Sequence, residues 1–365
     1  MRILSALRPR SPRSDVAGVV APAMVLIGIG LVFSYSAGAW AAQAGVADDP
    51  AYYLKRQIVS ALVGLVALVV AAHVPLERLR RAAPTLLVIT AGLLLTALLF
   101  APSVHNTQRW LPLPFFGRVQ PSELAKLAVV LFLARALAER NAREESFWRL
   151  ALPVGGLCLL VLLAPDFGTT VFLLAVAATM MLVAGARIGR LLIAGAATLP
   201  LLLLAATRFP YVIERLRFFR GESSYQVKQA LLALGAGGWL GNGLGAGRQK
   251  LGFLPASHND FILPVVGEEM GFLGILIVAV LFMWIIVHGV RVAQSARDPF
   301  AFQLALGATF VIGFQAALNF AVATGAAPTK GLSLPFVSSG GSNLVVVMAA
   351  VGLVANVGRA AEEPS

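Results

Sequence analysis

The residues of this chain that could do chemistry are a few charges at the ends of long apolar runs. An ionisable side chain at the edge of a membrane-length apolar segment is costly to keep there, so it marks a polar cavity, a buried partner or a site. Arg109, Lys126, Arg248, Lys250 and Lys330 all fall on one side of such segments, with Asp260 among them as an anion. Clustered cations near a membrane surface, with glycines allowing close approach, suit a phosphorylated lipid. One carboxylate among them suits a base.

Each charge also has a plainer reading. In Gln120-Pro121-Ser122-Glu123-Leu124-Ala125-Lys126, Pro121 suits the first position of a helix, and Glu123 then meets the positive end of the helix dipole near N3. Lys126 lies roughly 8 Å into that helix at 1.5 Å per residue. It is expected to line a polar cavity, or to pair with Glu123 one turn back, ahead of simple snorkelling. Asp260 stands at the outer boundary of a later run, just after Arg248 and Lys250, where a salt-bridged helix start would account for it. Glu268 and Glu269 lie deeper in that run and are expected to have structural partners, with Lys126 or an arginine as candidates.

The elements that must position these groups are membrane helices. The chain of 365 residues is 58% hydrophobic and 13% charged, with a mean hydropathy of +0.83. That leaves too little polar surface to coat soluble domains. Ten spans can be read, at about 16–37, 57–73, 84–101, 122–138, 150–164, 169–185, 191–207, 262–287, 300–323 and 342–357. The fold class is therefore all-α, a polytopic transmembrane bundle. Residues 1–15 and 359–365 are tails on one transmembrane domain, 16–358. Arg2, Arg8, Arg10 and Arg13 precede the first span, and alternate loops carry Arg78, Arg80, Arg81, Arg140, Arg143, Arg149, Arg187, Arg190, Arg291 and Arg297, while the opposite short loops carry far fewer. The positive-inside rule places both termini in the cytoplasm.

Three outside segments interrupt the hydropathy pattern, at 102–121, 208–261 and 324–341. In the longest, Val227, Ala230, Leu231 and Leu234 recur at helical spacing and predict an amphipathic helix at the interface. The glycine run that follows, 235–247, matches neither nucleotide-binding fingerprint and reads better as a re-entrant turn packed against helices. Cys158 is the only cysteine, which excludes intrachain disulfides and a Cys-rich metal site. The net charge of +12 sits in short loops where topology explains it, so no nucleic-acid partner is expected.

As a set, these motifs resemble the SEDS family (shape, elongation, division and sporulation), which includes FtsW and RodA. The resemblance rests on QRW at 108–110, QPSELAK at 120–126, PDFGT at 165–169, KLGFLPASHNDFILPVVGEEMGFLG at 250–274 and PTKGLSLPFVSSGG at 328–341. The PTKG stretch is closer to the FtsW branch. Ala256 stands where the family commonly has glutamate, and Ser339 where it has tyrosine.

The resemblance implies a peptidoglycan glycosyltransferase in the bacterial cytoplasmic membrane. It would polymerise lipid II at the outer face, in septal synthesis during cell division, and release undecaprenyl pyrophosphate. It implies a class B penicillin-binding protein and other divisome proteins as partners, with membrane lipid around the bundle. Asp260 aligns with the family's essential aspartate, as general base or as the carboxylate holding a divalent cation such as Mg²⁺ or Mn²⁺. No organic cofactor is expected. Arg109, Glu123, Lys126, Arg248, Lys250, His258, Lys330 and Ser338 form the candidate substrate-binding set. A sugar leaving from pyrophosphate needs cations for the departing charge and one base for the incoming hydroxyl. If 260–268 were helical, Asp260 and Glu268 would lie roughly 12 Å apart, beyond the about 5–9.5 Å of glycosidase pairs. A lipid II flippase, a RodA-like elongation polymerase and a division scaffold remain as alternatives. Gly271, Gly274, Gly307 and Gly313 suit either a partner's anchor helix or internal packing.

Overall fold

Hydrocarbon offers no partner to a bare backbone N–H or C=O, so each apolar run must satisfy its own ladder as a helix. A computed structural model describes residues 11–43, 49, 51–102, 108–113, 117–139, 147–208, 224–255, 257–329 and 331–362. Its helices are α1 (Pro12–Gln43), α2 (Tyr52–His73), α3 (Leu76–Phe100), α4 (Pro121–Ala138), α5 (Phe147–Leu163), α6 (Phe167–Val183) and α7 (Ile188–Arg208), followed by α8 (Tyr225–Gly237), α9 (Ile262–Ser295), α10 (Pro299–Ala323) and α11 (Gly341–Glu362). The ten expected spans are α1–α7 and α9–α11, in order. Seven of these helices are long and apolar enough to cross a membrane. Of the other three, α5 and α6 have 17 residues each, and α4 has 18 and carries Glu123, Lys126 and Arg135. Burial against neighbours compensates for short length and charge.

Local chemistry sets the helix starts. α1, α4 and α10 each begin on a proline, whose missing N–H costs nothing at the first position. Asp166 caps α6 by accepting from the Thr169 N–H at 3.2 Å, and Ser224 caps α8 through the Val227 N–H.

The core is built from α4, α9, α10 and α11, with α11 packed along α2 and α9 against α1, α8 and α10. Small residues make these approaches possible. A side chain at Gly352 of α11 would run into the Leu68 carbonyl of α2. Cys158 is buried in α5, as a packing residue. By contrast α7, which packs on α5 and α6, turns Leu192, Ile193, Leu203 and Leu204 outward.

Several expectations need correction. Residues 102–121 are not wholly irregular. Leu111–Leu113 (β1) and Gly117–Val119 (β2) pair antiparallel, with Pro112 opposite Arg118. Strands of three residues leave no periodic signal. The amphipathic helix exists as α8, but it packs on α9, with Gly237 against the Gly267 carbonyl, and buries Val227, Ala230 and Ala233 while Leu231 stays exposed. Close approach to α9 favours the small residues over the leucine. The glycine run does turn back against a helix. α9 breaks at Gly271 (φ 68°, ψ −165°), and the Phe272 and Leu273 N–H groups donate to the Gly238 and Trp239 carbonyls at 2.9 and 3.2 Å. A Cβ at Gly271 would lie 2.6 Å from the Leu240 nitrogen, so only glycine fits there. Gly307 faces Val130 and Met180, and Gly313 faces Ile286. Those two glycines serve packing inside the bundle rather than a partner surface.

Candidate active site

The N-terminal ends of α2, α4, α9 and α11 converge on a polar cavity of about 280 Å³. Four positive dipole ends aimed at one space already favour an anion there. Tyr53, Arg56 and Gln57 come from α2, Arg118 from β2, and Gln120 and Glu123 from the start of α4. His258, Asn259 and Asp260 enter from the turn before α9, and Ser333 with residues 339–343 closes the far wall.

The turn bearing Asp260 is braced through its backbone. Asn319 Nδ2 donates to the Asp260 carbonyl at 3.0 Å and to the Leu332 carbonyl at 2.9 Å. Ser338 Oγ donates to the Asn259 carbonyl at 2.6 Å and accepts from the Leu334 N–H. Ser333 Oγ donates to Asn259 Oδ1 at 2.7 Å. The Ser339 N–H donates to the His258 carbonyl, and its hydroxyl pairs with Ser34 Oγ at 2.7 Å. The His258 ring stacks on Tyr53, with centroids 4.4 Å apart. Burial, and then the nearby Arg56 charge, hold its pKa below the usual 6.5. His258 is therefore a neutral imidazole at pH 7.

The candidate residues do not all meet. Arg109, Glu123, His258 and Asp260 line the cavity. The Arg109 guanidinium is nevertheless committed to the turn between α5 and α6: Nε donates to the Ala164 carbonyl at 2.9 Å, Nη2 contacts the Pro165 carbonyl, and Nη1 lies 3.9 Å from Asp166. Lys126 does not reach the cavity. Its ammonium is fully buried, donates to both Glu123 oxygens at 2.9 Å and to Gln315 Oε1 at 2.8 Å, and sits over the Phe172 ring. An ammonium has three donors, and all three are used. Of its two expected roles, the Glu123 pair is the one seen. Ser338 is a buried brace rather than a cavity group.

Lys250 leaves the substrate-binding set. It is buried against Glu269, because an apolar surround favours a charge that has a partner. Arg248 is exposed and outside the cavity wall. Glu268 and Glu269 are structural, as expected, but among the described residues they pair with neither Lys126 nor an arginine side chain. Glu268 accepts from the Arg248 and Gln249 backbone N–H groups. Lys330 and Ala256 lie outside the described residues.

Two functional candidates escaped the sequence reading, Arg56 and Arg118. Both also line an apolar groove of about 580 Å³ that adjoins the cavity and is walled by Val59, Val63, Val119, Leu124, Val345 and Val346. Arg56 carries the signal used elsewhere, a charge at the outer end of a span, but it falls one residue before the apolar run read for α2. Arg118 depends on the hairpin. Among the described residues, no three His, Cys, Asp or Glu side chains gather at metal-binding distance.

A helical bundle with seven helices long and apolar enough to cross a membrane, and a polar cavity adjoining an apolar groove, defines a multi-pass membrane protein. The chain belongs to the FtsW/RodA/SpoVE family of cell cycle proteins, whose family model matches residues 18–363. It is 38% identical over 353 residues to a probable peptidoglycan glycosyltransferase FtsW of Geobacter sp. (strain M18), covering 93% of this chain and 95% of that one. It is 38% identical over 362 residues to the corresponding protein of Thioalkalivibrio sp. (strain K90mix), covering 95% and 90%. Among solved structures, a chain of a peptidoglycan synthase complex that coordinates polymerization and crosslinking superposes with a TM-score of 0.77 at 26% identity, covering 95% of this chain and 98% of that one. The rod shape determining protein RodA of Thermus thermophilus does so with a TM-score of 0.71 at 26% identity and the same coverage.

Proposed function

We propose that this chain polymerises lipid II into glycan strands at the outer face of the bacterial cytoplasmic membrane, in septal wall synthesis. The carrying observation is the order of chemistry along the cavity and groove. Valines line the groove, Arg56 and Arg118 stand where groove meets cavity, and Asp260 lies in the cavity wall. A lipid-linked sugar has the same order: apolar tail, pyrophosphate, sugar. The two arginines take the pyrophosphate in charge-assisted hydrogen bonds and hold the charge that develops on it. Asp260 accepts the proton of the acceptor sugar's hydroxyl. That oxygen bonds to the anomeric carbon, the carbon–oxygen bond to pyrophosphate breaks, and the electron pair leaves on undecaprenyl pyrophosphate.

The departing pyrophosphate is a stable, weakly basic anion held by cations and needs no acid, and Glu268, engaged with backbone N–H groups, offers none. Where a divalent cation is bound, it supplies further charge neutralisation at the pyrophosphate, beside Asp260. The likeness to a synthase complex and to FtsW proteins supports a class B penicillin-binding protein as partner. The arginine asymmetry supports cytoplasmic termini. A flippase would want its polar site at the midplane, whereas this cavity sits at one end of the bundle, among helix N-termini. The test is labelled lipid II given to the purified full-length chain with its partner synthase. Glycan ladders are expected, and lipid scrambling without polymer would contradict the reading.

A further inference from the structure

Outside the cavity, buried charge concentrates where α9 approaches its break at Gly271. Lys250 Nζ donates to Glu269 Oε1 at 2.5 Å, to Ser36 Oγ of α1 at 2.6 Å and to the Gly245 carbonyl at 2.7 Å. Ser36 Oγ in turn donates to Glu269 at 2.8 Å, and the Gly245 N–H donates to Glu269 Oε2 at 2.8 Å. One residue earlier, Glu268 accepts from the Arg248 N–H at 2.8 Å and the Gln249 N–H at 3.1 Å. The side chains of Lys250 and Glu269 are 4% and 0% exposed. Every donor of this ammonium is used, so the cluster is closed to a ligand.

What the cluster does is hold one end of a segment. From Lys250 to Asp260 the described chain runs as successive turns, with no helix or strand ladder to set its register. Its far end is braced by Ser333, Ser338 and Asn319. Its near end is held by the two carboxylates of α9 and by Ser36. An ion pair this buried adds little net stability over an apolar pair of the same shape, and its best-attested use is to specify register.

We propose that Lys250, Glu269 and Ser36, with the Glu268 clamp on the Arg248 and Gln249 amides, are positioning residues that set the register of the 250–260 segment and so deliver Asp260 to the cavity. This rests on the polymerase reading above. A misplacement of about 1 Å at a reacting group can cost a hundredfold in rate, so disturbing the cluster should appear in kcat and leave substrate affinity alone.

The test uses the full-length chain with its partner synthase and labelled lipid II, with rates normalised to folded, monodisperse protein. Lys250→Met with Glu269→Gln removes both charges together and avoids a stranded ion. We expect kcat to fall by about 10–100-fold, with KM within about twofold. Lys250→Arg, which keeps the pair, should restore kcat to within about threefold. Asp15→Asn with His288→Gln disturbs another buried cluster between α1 and α9, in which Asp15 lies 2.8 Å from His288 and 3.8 Å from Arg291, and should leave kcat unchanged. If the double variant at 250 and 269 does not fold, Ser36→Ala carries the test, with an expected kcat loss of about 3–10-fold at constant KM. Wild-type kcat in the folded double variant, or in Ser36→Ala where that is the test, overturns the proposal. A loss expressed through KM also overturns it, because the cluster would then be touching substrate. Failure of the underlying reading looks different: Asp260→Asn would then remain active in the same assay.

Discussion

Lys126→Met separates a buried structural ammonium from a phosphate-binding one. The wild-type Nζ makes three charge-assisted hydrogen bonds, two to Glu123 and one to Gln315, with 0% of the lysine side chain exposed and 9% of the glutamate. Methionine fills much of the same volume but leaves a carboxylate with no cation in a nearly dry site. Breaking a buried pair from one side costs about 3–5 kcal/mol. At about 2 °C per kcal/mol for a large chain, the melting temperature should fall by roughly 6–10 °C. Adding Glu123→Gln removes the stranded charge and should recover most of that loss. The sole cysteine makes the assay direct, since Cys158 is buried and a thiol-reactive dye reports its exposure on unfolding. Folded Lys126→Met should keep its KM for lipid II within about threefold, because no donor of Nζ is left for substrate. A wild-type melting temperature with a tenfold rise in KM would refute this reasoning and put the ammonium on the pyrophosphate.

Arg56→Gln and Arg118→Gln each remove a charge at the junction of groove and cavity; each should weaken lipid II use by about 10–100-fold in kcat/KM, the worth of a charged hydrogen bond. Unchanged kcat/KM in both would remove the clamp. His258 has a folded pKa held below 6.5 by burial and Arg56, so its contribution to pH dependence fades well above pH 6.5. As pH falls below that value the unfolded chain takes up a proton that the folded chain refuses, and stability drops towards the lowered pKa. His258→Phe, which keeps the stack on Tyr53, should flatten the melting temperature between pH 6.5 and 5, and an unaltered slope would locate the acid sensitivity elsewhere. In a Cys158→Ala background, Leu244→Cys and Gly189→Cys should react with impermeant reagent from opposite sides of the membrane. Labelling of both from outside would contradict the ten-span topology.

Much of the fold was legible because lipid makes hydropathy decisive. Each apolar run became a helix, although α3 begins at Leu76, eight residues before the span read for it, and α9 continues past His288 to Ser295. The ends of α4 and α9 could be read from Pro121 and from the charges around Asp260. What sequence spacing could not supply was which charge meets which across the bundle. Lys126 and Lys250 looked alike on paper, two cations at outer helix ends, yet Glu123 lies one turn from the first and Glu269 nineteen residues from the second. Each lysine is absorbed by its glutamate. Arg56 became a site residue only when α2 lay against α11 and turned it toward β2. The brace from Ser338 to Asn259 joins residues 79 apart in the chain, a contact with no local signature.

The central claim is that Asp260 is the base of a lipid II polymerase. Asp260→Asn keeps size and most hydrogen bonding while removing the charge. Its carbonyl would still accept from Asn319, so the turn before α9 should hold. The direct measurement is glycan polymerisation from labelled lipid II by the folded variant, in detergent with its partner synthase. We expect chain formation to fall by about a hundredfold or more, as loss of a general base causes, with the melting temperature retained. Chains of near-wild-type amount and length from that variant would contradict the account and return the flippase to first place.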